Sequence, residues 1–489
     1  MKRKIEIWAD SFHEGEWCCD HLEMVAKASG YLCDKTYKRG FIPQYCFEKT
    51  GQTIVLKVYG SYSAWSGLPE KIRELLDWGK PDFIAYDPEG DKILFAVEET
   101  SATMTGNQPV QRCERQYGSA LYKIPYWYLV SEFGRHLDGG IRRDSIWPSI
   151  SALKLSIHFQ TPSIVLHYSG ENAPEDYESG RGLSLLFDAL FQWIEVFAVN
   201  KDPEILMDIM SRQYEEMLDF INSQWRNMID FIPNQDLLQD KRTARRLAYC
   251  GVGRKEEIKG TLDGFLQWPL TTEVEEDKKI HWKRSDLLTF DPLSELLETD
   301  IELKNCYILS GNASSGRPPT QKQVIDFLKK QKEAFEKGGK MNPPAFYNLK
   351  LSSFSKTSSG NYNLTTSKNI LYLYDNSRTL KNTIVKAYGR LQNRLNAFDK
   401  EVPAIVYISN SLAPRRIFGD PFVGQLAAYA IIFGKFDQRK RLVVAYYPHQ
   451  SYTYYKEAKG KGKKIVRELA DYIIFAGGVA ICTATEEVY

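Results

Sequence analysis

Between Pro81 and Gln116 the chain reads PDFIAYDPEGDKILFAVEETSATMTGNQPVQRCERQ, and an apolar run within it stops abruptly at two carboxylates. Phe83 to Tyr86 is a short apolar run. Asp87-Pro88-Glu89-Gly90-Asp91 is turn chemistry, because proline presets one dihedral, glycine accepts the other and aspartate bonds locally. Ile93 to Val97 is continuously apolar, the pattern of a buried strand, and Glu98 and Glu99 follow it directly. Two carboxylates at the tip of a buried strand are costly unless something neutralises them. A divalent cation does that, and Asp82, one hairpin away, offers a further oxygen ligand. Strand alternation puts Glu98 on one face with Leu94, Ala96 and Thr100, and Glu99 on the other with Phe95 and Val97. Glu98 is therefore the first choice of ligand and Glu99 the second. The alternative is a surface hairpin whose acids are simply solvated.

Asp82 and Glu98 on a hairpin, followed by a polar helix, resemble the core of the PD-(D/E)XK nucleases, a family that includes many restriction endonucleases. The resemblance covers roughly the first third of the chain. It implies that Asp82 and Glu98 bind Mg²⁺, for which Mn²⁺ can stand in, and that the metal activates water and stabilises charge on the attacked phosphate. A glutamate on the helix before the core often reaches the metal in that family, which brings in Glu16, with Glu14 beside it. The family's usual lysine falls at Thr100. That departure leaves the water-activating group among Glu99, Gln111, Arg112 and Arg115. It also leaves room for a nuclease-like fold that binds nucleic acid without cutting it.

Length and composition set the frame. At 489 residues, two or three domains are expected. A net charge of +2 argues neither for nor against nucleic acid, since local patches decide that. The eight cysteines form no CxxC pair and the seven histidines are dispersed, which disfavours a zinc site or a disulfide frame. The start, MKRKIEIWAD, has no apolar segment of the signal-peptide kind. No apolar run approaches the roughly 18 residues a bilayer span needs. The expectation is a soluble, cytoplasmic protein with no membrane partner.

Along the chain, Ile5 to Trp8 reads as a short strand or a helix lead-in. Ser11 with Glu14 has the form of a capping box, opening a helix over Gly15 to Ser29 with Trp17, Leu22, Val25 and Ala28 at helical spacing. Thr53 to Tyr59 is a strand and Leu68 to Leu76 a short helix. Ser101 to Gln108 is a small, polar loop well placed to touch a phosphate or base, so Thr105 and Asn107 are candidate nucleic-acid contacts with Arg112 and Arg115. Pro109 to Tyr122 reads as a helix with Gln111, Arg115 and Ser119 in one row. Its alternative is an ordinary solvated helix face. Tyr126 to Val130 and Ser163 to Tyr168 are strands, and Asp144 to Phe159 is helical.

This pattern predicts an α/β chain: an N-terminal, mixed-sheet, restriction-endonuclease-like core over residues 1–175, a helical middle region over 176–310, and a second, C-terminal α/β domain over 320–489. The middle region holds amphipathic helices from Leu183 to Ile232 and a basic stretch, Lys241 to Lys259, whose Arg242, Arg245 and Arg246 suit phosphates. The linker Gly311 to Pro319 precedes strands at 370–374, 404–409, 442–447 and 479–483, with helices at 380–398, 422–433 and 465–475 between them. The function expected from the resemblance is Mg²⁺-dependent cleavage of double-stranded DNA, most simply as a type II-like restriction endonuclease. A defence or repair nuclease regulated by its C-terminal domain is the other role. Pairing into a homodimer is compatible with cutting both strands.

Overall fold

The computed structural model describes residues 2–62, 67–100, 112–131, 133–135, 141–143, 147–168, 181–230, 307–310, 345–346, 349–350, 370–374, 404–408, 422–431, 435–436, 442–447 and 449–489. The chain divides into two units, one built mainly on residues 1–104 and 115–221 and the other mainly on residues 285–489. Among the described residues no helix is long and apolar enough to cross a membrane.

The first unit is organised on an eight-stranded mixed sheet. Its strands are β1 (Lys2–Ala9), β2 (Leu32–Lys38), β3 (Ile42–Lys49), β4 (Gln52–Tyr59), β5 (Phe83–Asp87), β6 (Lys92–Thr100), β7 (Tyr126–Ser131) and β10 (Ser163–Tyr168), in the order β10-β7-β6-β5-β1-β4-β3-β2. A separate two-stranded ladder pairs β8 (Phe133–Arg135) with β9 (Ile141–Arg143). The segment that reads as strand or helix lead-in is β1, and it lies inside the sheet, parallel to β4 and antiparallel to β5. β6 and β7, and β7 and β10, are also parallel. Strands buried on both faces carry near-continuous apolar runs rather than alternation, which is why FIAYD of β5 and YWYLVS of β7 are buried throughout.

Among the described residues six α-helices accompany these strands: α1 (Phe12–Ala28), α2 (Glu70–Leu76), α3 (Cys113–Leu121), α4 (Trp147–Phe159), α5 (Arg181–Val199) and α6 (Ile205–Asp230). The capping box of α1 is complete: the Glu14 backbone N–H donates to Ser11 Oγ and the Ser11 N–H to Glu14 Oε2. Aromatic contacts fix which helix lies on which face. Trp17 of α1 touches Phe83 of β5 and Phe187 of α5, while Phe95 of β6 meets Trp127 of β7, which meets Trp193 of α5. From Phe95 outward, beyond the register shift of the β5–β6 ladder, the odd-numbered side chains of β6 thus face α1 and α5; nearer the turn Lys92 also reaches α5, over the Phe197 ring. From Ala96 outward the even-numbered side chains of β6 face α3, whose Tyr117 meets Phe159 of α4. Tyr31 donates to Glu195 of α5, and Trp127 donates to Gln213 of α6. These bonds join α5 and the first part of α6 to the sheet of the first unit.

The topology places one rim apart from the rest. The chain leaves β1 towards β4, β3 and β2, and later leaves β6 in the opposite direction through β7 and β10. The reversal falls at β5. In sheets of this kind ligands bind outside the carboxyl ends of the strands where the winding reverses. The parallel strands β1, β4, β6, β7 and β10 all end on that rim, and β5, running against β1 and β6, begins there.

In the second unit the sheet order is β12-β13-β11-β14-β15-β16-β17-β18, from β11 (Tyr307–Ser310), β12 (Ala345–Phe346), β13 (Leu349–Lys350), β14 (Ile370–Tyr374), β15 (Ala404–Ile408), β16 (Leu442–Tyr447), β17 (Tyr472–Phe475) and β18 (Ala480–Cys482). The pairs from β11 through β14, β15 and β16 to β17 are parallel. Helices α7 (Phe422–Ala430), α8 (Tyr452–Glu457) and α9 (Lys461–Leu469) are its described helices of α type. The helix expected over residues 465–475 is corrected here: α9 stops at Leu469, Ala470 turns to extended backbone at φ −97° and ψ 139°, and 472–475 is strand. Asp471 makes the switch. Its N–H donates to Val443 O at 2.7 Å and its Oδ2 accepts from Val443 N–H at 2.8 Å, which draws the Tyr-Ile-Ile-Phe run into the sheet. The basic stretch 241–259, the linker 311–319 and the helix expected at 380–398 lie outside the described residues.

Candidate functional site

The rim where the winding reverses is where the acids gather. The antiparallel register of β5 and β6 pairs Ile84 with Ala96 and Phe83 with Val97. Continued one residue beyond the ladder, that register brings Asp82 opposite Glu98. Directly opposed residues of an antiparallel pair share a face, with Cβ atoms about 4.5–5.5 Å apart. That face is the α3 face, since Glu98 is an even-numbered residue of β6. The backbone N–H of Glu99 donates to Asp82 Oδ2 at 2.5 Å, which holds the aspartate against the end of β6. The end of β1 is tied in as well, because Asp10 N–H donates to Asp82 O at 3.0 Å.

Glu98 has a side-chain exposure of 0%, and the cation beside it is Arg115 of α3, whose Nη1 lies 2.5 Å from Oε2. A buried carboxylate is tolerable only when paired and hydrogen-bonded, and Arg115 meets that requirement from within the chain. Two glycines let it do so. A Cβ on Gly79 would lie 2.4 Å from Arg115 Cγ, and one on Gly118 would lie 2.3 Å from Trp78 Cβ. The bare backbone at Gly79 gives the arginine stem its track, and the bare position at Gly118 lets α3 close on Trp78.

Tyr62 sits among the same acids. It is buried, and its hydroxyl donates to Pro81 O at 2.7 Å, with Trp8 O at 3.3 Å. Burial first, and then the charges of Asp82, Asp10, Glu98 and Glu14, push its pKa well above the ordinary value. Tyr62 therefore stays a neutral donor. It also reports that four carboxylates, from the end of β1, the first turn of α1, the start of β5 and the end of β6, act on one point. Lys80 lies 3.4 Å from Asp10 Oδ1 in an exposed pair that contributes little.

The other residues singled out from sequence are distributed as follows. Glu99 is half-buried on the α5 face, where its charge, after burial, raises the pKa of Tyr168, whose hydroxyl donates to Thr100 O at 3.2 Å. Thr100, at the family's lysine position, is 4% exposed. Glu16 is turned to β2, accepting from Tyr37 Oη at 2.6 Å and pairing with Lys35 at 2.8 Å. The Lys35 bond, then the Tyr37 bond, hold its carboxyl below the usual range. Arg112 is half-buried immediately before α3. The expected row on α3 points inward at Ser119, which is 0% exposed, and at Arg115, which is 16% exposed. Thr105, Asn107 and Gln111 lie outside the described residues. Sequence reasoning passed over Asp10 and Tyr62, which sit in no periodic pattern. It valued Arg115 for nucleic acid rather than for Glu98.

Among the described residues no three His, Cys, Asp or Glu side chains are grouped so as to hold a metal ion on their own. The pair Asp82 and Glu98 still fits magnesium in donor type and number. Magnesium takes hard oxygens, keeps several waters and is usually held by one or two carboxylates together with substrate phosphate, not by an all-protein cage. A carboxylate accepts several bonds at once, so a hydrogen bond and a cation are compatible on one group. No family model, no curated protein and no solved structure matches this chain.

Proposed function

We propose that the chain is a Mg²⁺-dependent endonuclease of the PD-(D/E)XK type, acting on double-stranded DNA, with Mn²⁺ able to replace Mg²⁺. The observation that carries this reading is the register that sets Asp82 opposite Glu98 at the winding reversal. Asp82 and Glu98 would hold the cation. When bound, it supplies Lewis-acid stabilisation of phosphate charge and lowers the pKa of bound water. The chain's own parts prepare that place. The Glu99 N–H orients Asp82, Arg115 pairs with the Glu98 carboxylate, and Tyr62 stays a neutral hydroxyl bonded to Pro81 O. The simplest biological role is a type II-like restriction endonuclease. A defence or repair nuclease regulated through the C-terminal α/β region is the other role, and cleavage of naked DNA at short fixed sites separates the two.

A second reading has its own support. Arg115 already neutralises Glu98, and Thr100 offers a hydroxyl where the resembled family carries an ammonium. Both suit a nucleic-acid-binding protein that keeps a nuclease-like frame without the reaction.

Incubating supercoiled plasmid with Mg²⁺ or Mn²⁺ decides between them. The nuclease reading expects nicked and linear products, and a loss of about 10²-fold or more in rate for both Asp82→Asn and Glu98→Gln. Thermal melts of both variants confirm that they fold. Wild-type protein that retards DNA in a gel yet leaves every DNA and RNA substrate intact would establish the second reading.

A further inference from the structure

The first unit leaves one edge of its sheet open. β2 is the last strand in the order and pairs only with β3 among the described residues. Every second residue of an edge strand points its N–H and C=O away from the sheet, a ready template for another strand. Edges are normally protected by covering or bending, or by shortness or charge. β2 is seven residues long and uncovered: Leu32 is 78% exposed and Tyr37 50%, and Phe41, just past the hairpin turn, is 60% exposed. Its charges provide the protection, and their arrangement admits one exception.

We propose that β2 pairs antiparallel with β2 of a second copy of this chain, about a two-fold axis through Thr36, joining the two sheets edge to edge. A two-fold axis perpendicular to a sheet keeps each face on its own side. Only residues of the same parity can then stand opposite one another, and the central residue faces its own copy. A centre at Asp34 sets two aspartates against each other, and a centre at Lys35 sets two lysines. A centre at Tyr37 leaves only Thr36 to Lys38 to pair, because Arg39 has left the strand for the hairpin turn at φ +52°. Like charges directly opposed destabilise a pair.

The centre at Thr36 removes every such conflict. Threonine faces threonine, a favourable cross-strand pair. Asp34 faces Lys38 and, by symmetry, Lys38 faces Asp34. Both are exposed, and neither makes an ion pair among the described residues. On the other face Lys35 comes opposite Tyr37, repeating between chains the contact that Lys35 already makes with the Tyr37 ring at 5.6 Å. Arg39 and Gly40 lie in the hairpin turn at positive φ, so the paired stretch runs from Asp34 to Lys38. The strand is therefore self-complementary in one register and either repulsive or cut short in those beside it, so charge and strand length select the partner as a second copy in a fixed alignment. The inference is independent of the reading of the acidic rim.

Charge exchange on the full chain tests the alignment. Sedimentation over a range of concentrations should show a wild-type dimer. Asp34→Lys should set two lysines against each other across the pairing, and Lys38→Asp should set two aspartates. Each alone should weaken the dimer about tenfold or more. An equimolar mixture of the two variants should restore it, because both cross-strand pairs are then of opposite sign. A wild-type chain that is monomeric throughout overturns the proposal, as does a dimer indifferent to both substitutions. A loss that the mixture does not repair also overturns it. Both residues are exposed, and unchanged melting temperatures of the variants exclude misfolding.

Discussion

At the level of single residues, Glu98 is a carboxylate with no exposed side-chain surface, paired with the Arg115 guanidinium. Removing one partner of such a pair leaves an uncompensated buried charge, which costs about 3–5 kcal/mol, whereas replacing both by apolar groups is often neutral. Arg115→Leu is expected to lower the unfolding free energy by about that amount, and Glu98→Leu combined with Arg115→Leu to recover most of it. Urea unfolding of the wild type, both single variants and the double variant measures the coupling. Equal losses in Arg115→Leu and in the double variant would mean that the guanidinium contributes through its stem alone. The hairpin that carries Asp82 and Glu98 was legible in the sequence because a turn of known chemistry joins its strands, but the shared face was not: an unbroken ladder from Asp87 and Lys92 would set Asp82 opposite Val97, and the register shift at Ala85/Tyr86 moves it one residue on. Arg115 was not legible as the partner of Glu98, because a loop and a turn of helix intervene and pairing across them depends on where α3 docks.

Among the elements, α3 decides whether the site exists at all, and its seat is set by Gly118 against Trp78. Trp78 is 2% exposed, so it has little room to retreat from a Cβ placed 2.3 Å away. Gly118→Ala is expected to cost about 1–3 kcal/mol, the usual range for an overpacked core. Thermal unfolding followed by circular dichroism reads the shift, and an unchanged midpoint would mean that α3 is held elsewhere. Elements with strong local signals are legible in the sequence. The capping box opens α1, and the Asp-Pro-Glu-Gly-Asp turn joins β5 to β6. β2 is not, since an edge strand buries too little to need an apolar pattern. The end of α9 is blurred in the sequence, because the apolar residues of β17 continue a helical rhythm until Asp471 bonds to β16.

Across the whole molecule, alternating strands and helices announced an α/β protein with a mixed N-terminal sheet, and the eight-stranded sheet of the first unit is one. Strand order was not available from sequence, because it depends on pairings between segments far apart in the chain. β1 illustrates this: its neighbours are β4 and β5, not the strand that follows it. Order also governs stability along the sheet. Strands that are buried and paired on both sides open only with the whole fold, and exposed edges open locally. Hydrogen exchange is expected to be slowest in β1, β5 and β6 and fastest in β2. Protection of β2 that rises with protein concentration would follow from edge pairing. Uniform exchange across the sheet would contradict this ordering.

The direction of β5 has a last consequence. Since that strand runs against both neighbours, the bend joining it to β6 lies at the other end of the hairpin from the carboxylates, about 20 Å away for the stretch from Lys92 to Glu98. Chain length can be gained or lost at Pro88 to Gly90 without touching the chemistry, whereas the same change near Asp82 would slide one acid past the other. The two ends of a single hairpin thus differ in how freely they can drift: one is a margin where variation accumulates, the other a hinge pin.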